Sequence, residues 1–268
     1  MAVPEKALVS LNPEKAIALL KSANVEGIEA LTPEQQVELA QALQVDQANT
    51  AQQSEYRPAR FGIDHRSRKF KDDFANPLPD LKGVVIYYHR ARGHWTEGEK
   101  IPRCSSMDGL HGTMADAANG QPVTCATCTF NPTYTRNFGD KDNCKELRRL
   151  FLLLEGDRYP VLLTLSPTSI GRWDNYTSAL RRKGVALISA YTVLRLESAE
   201  AKGQTYAKIL AELGPKLPAP AVLQLARMKE EVVKVATKLG IEEADYAKSD
   251  DEQGVSGQTA AASGGDAF

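Results

Sequence analysis

All four cysteines of the chain fall within the 41 residues from Cys104 to Cys144, spaced C-x20-C-x2-C-x15-C. Cys125 and Cys128 form a tight knuckle whose sulfurs converge on one metal, and the flanking Cys104 and Cys144 close the tetrahedron through the fold. Residues 103–145 carry no regular hydrophobic period. They are therefore expected to be an insertion organised by an ion rather than by an apolar core. Zinc takes four thiolates and finds four here with none left over. An iron–sulfur cluster also takes four cysteines, free thiols are a third reading, and His111 is placed to replace one cysteine as a ligand. A closed four-thiolate shell leaves no position for water, so a structural zinc and no catalytic metal is expected.

The compartment reading agrees with this. No apolar run approaches the roughly 20 residues that a bilayer-crossing helix needs, and Met1–Lys6 lack the basic start and apolar core of a signal peptide. A cytoplasmic protein is expected, with no membrane partner, and reduced thiols there favour a metal over disulfides.

Charge is unevenly spread. Residues 1–55 carry 3 basic and 8 acidic side chains, residues 56–213 carry 24 and 17, and residues 214–268 carry 6 and 9. A basic centre between acidic flanks points to an anionic partner for the centre.

The period of the apolar residues divides the chain into four parts. Residues 1–54 read as a helical arm and linker. Asn12-Pro13-Glu14 is an N-cap with proline at the first helical position, and Thr32-Pro33-Glu34-Gln35 is a capping box, with a Gln- and Ala-rich linker from 44 to 54. Residues 55–214 read as a mainly β core. Strands are expected over 82–89, 160–166, 185–197 and 204–213, with 147–154 open between strand and helix. A helix starts at Ser166-Pro167 and stops at Gly184. Strand, long insertion, strand, strand, helix, strand, strand is the order of an OB-like five-stranded barrel, α+β overall once the flanking helices are counted. Residues 215–240 read as an amphipathic helix, for assembly or for packing back on the barrel. Residues 241–268 read as a disordered acidic tail.

Cations and aromatic rings interleave around the insertion: Tyr87, Arg90, Arg92 and Trp95 before it, then Phe130, Tyr134, Arg136, Phe138 and Lys141, then Arg148 and Arg149. Single-strand binders track phosphates with cations and stack bases on rings, so these eleven residues are the candidate nucleic-acid contacts. At the C-terminus, Asp266 and the terminal Phe268 are candidates for entering a partner's pocket, the ring into an apolar site and the carboxylates onto basic groups.

Cys104-Ser105-Ser106-Met107-Asp108-Gly109, Cys125-Ala126-Thr127-Cys128, Ser166-Pro167-Thr168-Ser169 and the terminal phenylalanine together resemble phage or mobile-element single-stranded DNA-binding proteins. The resemblance covers roughly residues 60–213 and the tip. The tail lacks the dense aspartate run and penultimate proline of its bacterial counterparts. The resemblance implies coating of single-stranded DNA, recruitment of replication and recombination proteins through the tail, and a bacterial host cell as location. Homo-oligomers are compatible with it. A zinc-containing protein-interaction adaptor is the alternative. A nuclease is the weaker one, because Asp64, His65, Asp72, Asp73, His89, His94, Asp108 and His111 make no recognisable metal or acid–base motif, and no phosphate-binding G-x-x-x-x-G-K-S/T loop is present.

Overall fold

The computed structural model describes residues 11–23, 25–53, 57–96, 98–116, 119–138, 142–201, 204–242 and 245. They belong to two compact units, Met1–Arg57 and Pro58–Phe268.

In the first unit, α1 (Pro13–Ser22) starts where Asn12 accepts the Lys15 amide at 2.9 Å. The capping box forms as expected: the Thr32 amide donates to Gln35 Oε1 at 2.9 Å, and the Gln35 amide to Thr32 Oγ1 at 3.4 Å. The helix it opens, α2 (Pro33–Gln53), runs through the expected linker. Gln and Ala are good helix formers, and no glycine or proline interrupts them. Ala16, Leu20, Ile28 and Ala40 form the unit's small core.

The second unit is mixed α/β around one large curled sheet, a half-barrel. Its strands are β1 (Arg60–Asp64), β2 (Lys69–Lys71), β3 (Pro77–Leu78), β4 (Asp80–His94), β5 (Cys104–Ser106), β8 (Lys145–Leu154), β9 (Val161–Leu165), β10 (Ala190–Ala201) and β11 (Gln204–Lys216). The nine run in the order β11-β10-β4-β8-β9-β1-β2-β3, with β5 on the far end of β4; β6 (His111–Ala115) and β7 (Pro122–Thr124) pair separately. All pairs are antiparallel except β1 with β9.

The five strands expected from the sequence are present in order, and Leu147–Leu154 resolves as strand. The closed five-stranded barrel is corrected to an open, larger sheet. The outer edge of β9 is taken by β1, from a β1–β3 segment that the sequence reading left unassigned. Among the described residues no strand covers the outer edge of β11. Side chains cover that edge in part: the Ile209 amide donates to Ser169 Oγ at 3.2 Å and the Ala207 amide to His65 Nδ1 at 3.3 Å.

Both faces of the central strands are buried, which is why they read as continuous apolar runs. On the inner face Phe61, Phe70, Val85, Leu150, Leu163 and Ile209 enclose Trp173 of α4 (Pro167–Arg182). Gly184, at φ 64°, ends α4 in a conformation that glycine adopts at no steric cost. On the outer face Val84, Ile86, Phe151 and Leu162 receive Leu225, Val232 and Ala236 of α5 (Ala219–Ala236). The amphipathic helix thus packs back on the sheet.

The tail expected to be disordered from residue 241 begins instead with a docked stretch. Ile241 and Asp245 are 4% and 7% exposed. Asp245 lies between Arg60 and Arg149 and accepts from Thr164 Oγ1 at 2.7 Å. Asp266 and Phe268 lie outside the described residues.

Candidate metal centre and nucleic-acid surface

The four cysteines come from four local structures. Cys104 opens β5 and stands opposite His94 in the β4–β5 ladder. Cys125 opens a 3-10 turn, Cys125–Thr127, with its amide donating to the Leu110 carbonyl at 2.8 Å. Buried Asn131 ties the knuckle: its side chain donates to the Cys125 carbonyl at 2.7 Å, and its amide donates to the Cys128 carbonyl at 2.9 Å. The Cys144 amide reaches the Phe130 carbonyl at 2.7 Å, bringing the last cysteine beside the knuckle just before β8.

All four thiols are free and line one cavity of about 320 Å³, together with Arg92 and His94. Gly112 of β6 makes the approach possible, because a Cβ there would lie 2.7 Å from Cys104 Sγ. Among the described residues no group of three or more His, Cys, Asp or Glu is gathered as a metal site. Burial pushes the Cys144 thiol up to about 12 and raises that of Cys125. A thiol kept protonated by burial makes a poor nucleophile. A dication would reverse this by stabilising the thiolate. The donor set therefore fits a soft or borderline ion, and the four cysteines are the residues that would hold it.

His111 is not a cavity residue. Its Nδ1 faces Asp108 Oδ2 at 2.9 Å. Burial alone would raise the Asp108 carboxyl, but the amides of His111 and Leu110, the His111 ring and the Ser106 hydroxyl hold it well below the usual carboxylate range. Asp108 thereby fixes the turn between β5 and β6. The histidine that does border the cavity is His94, buried and stacked on Phe130 with ring centroids 4.0 Å apart. Its place opposite Cys104 depends on strand register and left no mark in residue spacing.

The structure divides the candidate nucleic-acid residues. Tyr134 and Phe138 are 54% and 71% exposed, and Arg136 between them is exposed in a left-handed conformation, φ 60°. Tyr134 lies in the short α3 (Pro132–Thr135), which Asn131 caps at the Thr133 amide, and Arg136 and Phe138 follow it. Arg90 is exposed too, whereas Arg92 is mostly covered and lies 4.0 Å from Glu146. Lys141 lies outside the described residues.

Three other candidates, Trp95, Arg148 and Arg149, are corrected as surface groups, and Tyr87 is partly buried. Trp95 is 8% exposed, in a cluster with Ala91, Leu147 and Ile241. Tyr87 packs with the outer core beside His89 and Phe151. Arg148 is 3% exposed, with its guanidinium on Asp174 at 2.9 Å and Glu146 at 2.8 Å. Arg149 has no exposure and donates to the carbonyls of Leu239 at 2.7 Å and Gly240 at 3.1 Å. Phe130 is partly covered, by His94. Arg148 and Arg149 serve the interior because a strand buried on both faces hides cations as well as leucines.

Eight large apolar side chains are exposed among the described residues, and Ile101, Leu110, Tyr134 and Phe138 all belong to the region of the insertion. That concentration makes the region the candidate interaction surface. No family model, curated protein or solved structure matches the chain.

Proposed function

We propose that this chain is a single-stranded DNA-binding protein, of the kind that phages and mobile elements use in replication and recombination, and that it is not an enzyme. The observation that carries the reading is the segment 134–138, the end of α3 and the turn after it. Tyr134 and Phe138 are held out of the core on either side of exposed Arg136, on a segment anchored by Asn131 and the cysteine knuckle. Rings that stack and a cation that meets phosphate are what a sequence-tolerant single-strand contact requires. Holding apolar rings in solvent has no benefit for folding. The excess of basic over acidic residues in the central part of the chain supports the same reading. The curled sheet, with α4 between its third and fourth expected strands, supports kinship with the OB barrel, opened by the added β1–β3 segment.

In this reading zinc is the ion that Cys104, Cys125, Cys128 and Cys144 hold. It cross-links the insertion and performs no chemistry, since a four-thiolate shell leaves no open position. Arg90, Arg92 and Lys141 add cationic contacts. The acidic C-terminus, with Asp266 and Phe268, recruits replication or recombination proteins in the host cytoplasm.

Binding of labelled oligo-dT and of duplex, compared across a salt series, tests the proposal. Preference for the single strand is expected, with an affinity that falls on a log–log slope of about −0.7 per phosphate neutralised. Equal affinity for both forms would remove the single-strand reading. A second reading, a zinc-containing protein adaptor, is favoured by exposed Ile101 and Leu110, since aliphatic side chains stack poorly on bases. It requires that no oligonucleotide binds. Cleavage of the oligonucleotide under Mg²⁺ would point to a nuclease.

A further inference from the structure

A chain of contacts links the cysteine cavity to the C-terminal end of the described chain. Cys104 begins β5, and the strand ends at Ser106, directly before Met107. Met107 is held at both ends. Its carbonyl oxygen lies 2.8 Å from His89 Nδ1, and its sulfur lies 3.2 Å from the Arg149 guanidinium. The same guanidinium donates to the Leu239 and Gly240 carbonyls and stands 3.6 Å from Asp245. Asp245 in turn pairs with Arg60, accepts from Thr164 Oγ1 at 2.7 Å and takes the Glu242 amide at 3.0 Å. Between these anchors Ile241 enters the cluster of Ala91, Trp95 and Leu147, against which Met107 packs. Trp95 directly follows His94, a wall of the cysteine cavity.

We infer that Leu239–Glu242, together with Asp245, form a latch whose hold depends on the metal centre. The inference rests on the metal reading of the cavity. An ion on the four thiolates fixes Cys104 and with it β5. β5 delivers Met107, and Met107 completes both the seat of Ile241 and the cradle around Arg149. Without the ion, β5 keeps its short ladder to β4 and the Ser105 amide bond to Thr113 Oγ1 at 3.0 Å but loses the tie through Cys104, so one wall of each seat of the latch is held less firmly. A carboxylate buried between two guanidinium groups does not tolerate partial loosening, because each half-made contact leaves a charge without water or partner. The latch is therefore seated or released. Release uncovers Arg60, Arg149 and Trp95, two cations and an indole now hidden from any anionic partner. Metal occupancy and access to this second basic face are thus coupled.

Coupling between two sites is reciprocal, which makes it measurable from both ends. Zinc affinity is read by chelator competition for the full chain and for Asp245→Asn, Ile241→Ala and Val232→Ala. Hydrogen exchange at the amides of Gly240–Glu242 and Asp245 is read with zinc, after chelation and after zinc is restored. The first two variants are expected to bind zinc about tenfold more weakly, a factor within the usual range for coupled sites. Val232→Ala, which opens the separate α5 core, is expected to bind zinc as the parent does. Chelation is expected to speed exchange at the Glu242 amide, and zinc to restore protection. Equal zinc affinity in Asp245→Asn and parent, or exchange that ignores zinc, would overturn the latch while leaving the metal centre standing. The same loss in Val232→Ala would reduce the effect to general destabilisation and overturn it too. Protein that binds no zinc would remove the metal reading and the latch with it.

Discussion

Arg148 and Arg149 are neighbours in sequence and turn to opposite faces of β8, one to Asp174 of α4 and the other to the chain beyond α5. Each is enclosed by its partners, so neither behaves as a surface cation. Arg149→Ala is expected to destabilise the fold by about 3–5 kcal/mol, since it leaves Asp245 buried beside one guanidinium instead of two. Arg136→Ala, on the exposed loop, is expected to leave the urea midpoint where it was and to weaken oligo-dT binding. Phe138→Ala should also fold normally and lose about 1–3 kcal/mol of binding if the ring stacks a base. Urea titration and oligonucleotide titration on the three variants separate interior from interface. If Arg149→Ala kept its midpoint, the buried ion network would not matter to stability. A further residue-level test is Gly112→Ala. The added methyl collides with Cys104 Sγ, so zinc content of the purified protein should fall well below that of the parent.

At the scale of elements, β11 is the edge strand that needs protection from pairing with another chain. Ser169 and His65 supply part of it by accepting the Ile209 and Ala207 amides. His65 accepts through Nδ1 and must therefore be neutral there. Burial lowers its pKa, and burial likewise lowers those of His89 and His94. With folded values below the ordinary 6.5, the unfolded chain takes up protons first as pH falls. The stability these three contribute is complete above pH 6.5 and is lost as pH drops through their folded values. Urea midpoints measured with zinc saturating should therefore decline from pH 7.5 to 5. A flat or rising profile over that range would contradict the burial of the three rings. Asp64 and Asp108 are held well below the usual carboxylate range, so their contribution is lost only in stronger acid.

For the whole molecule, the division into Met1–Arg57 and Pro58–Phe268 separates a two-helix unit with a small core from the sheet-bearing unit. Every group assigned to the metal centre and the described nucleic-acid surface lies in the second. On the proposed reading, a protein of residues 58–268 is expected to fold, to bind zinc as the full chain does, and to bind oligo-dT with the same salt slope. It also sheds the acidic excess of the first 55 residues, which predicts equal or tighter binding at low salt and convergence as salt screens the charges. Circular dichroism, metal analysis and the salt series check this. A fragment that unfolds or loses zinc would show that the first unit supports the second.

Local chemistry was legible in the residues themselves. Asn12 and the Thr32–Gln35 box opened helices, Gly184 ended α4, and the apolar runs of β4 and β9 read as strands. Each of these depends on neighbours a few positions away, where side-chain identity and backbone geometry are directly linked. The clustering of four cysteines was equally plain, and the fold does carry them to one cavity. What residue order left open was decided by contacts between distant segments. The Leu147–Leu154 run suits strand or helix until β4 and β9 flank it. The β1–β3 segment is short and polar, and it becomes sheet because β9 offers it an edge. His94 borders the cysteine cavity through its register with Cys104. Trp95, Arg148 and Arg149 had the composition of a binding surface, and they went inside because Ile241, Asp174 and Asp245 came to meet them from far along the chain. Burial is a property of the assembled faces. A basic or aromatic side chain shows which partners it accepts, and only the tertiary structure decides whether those partners are its own.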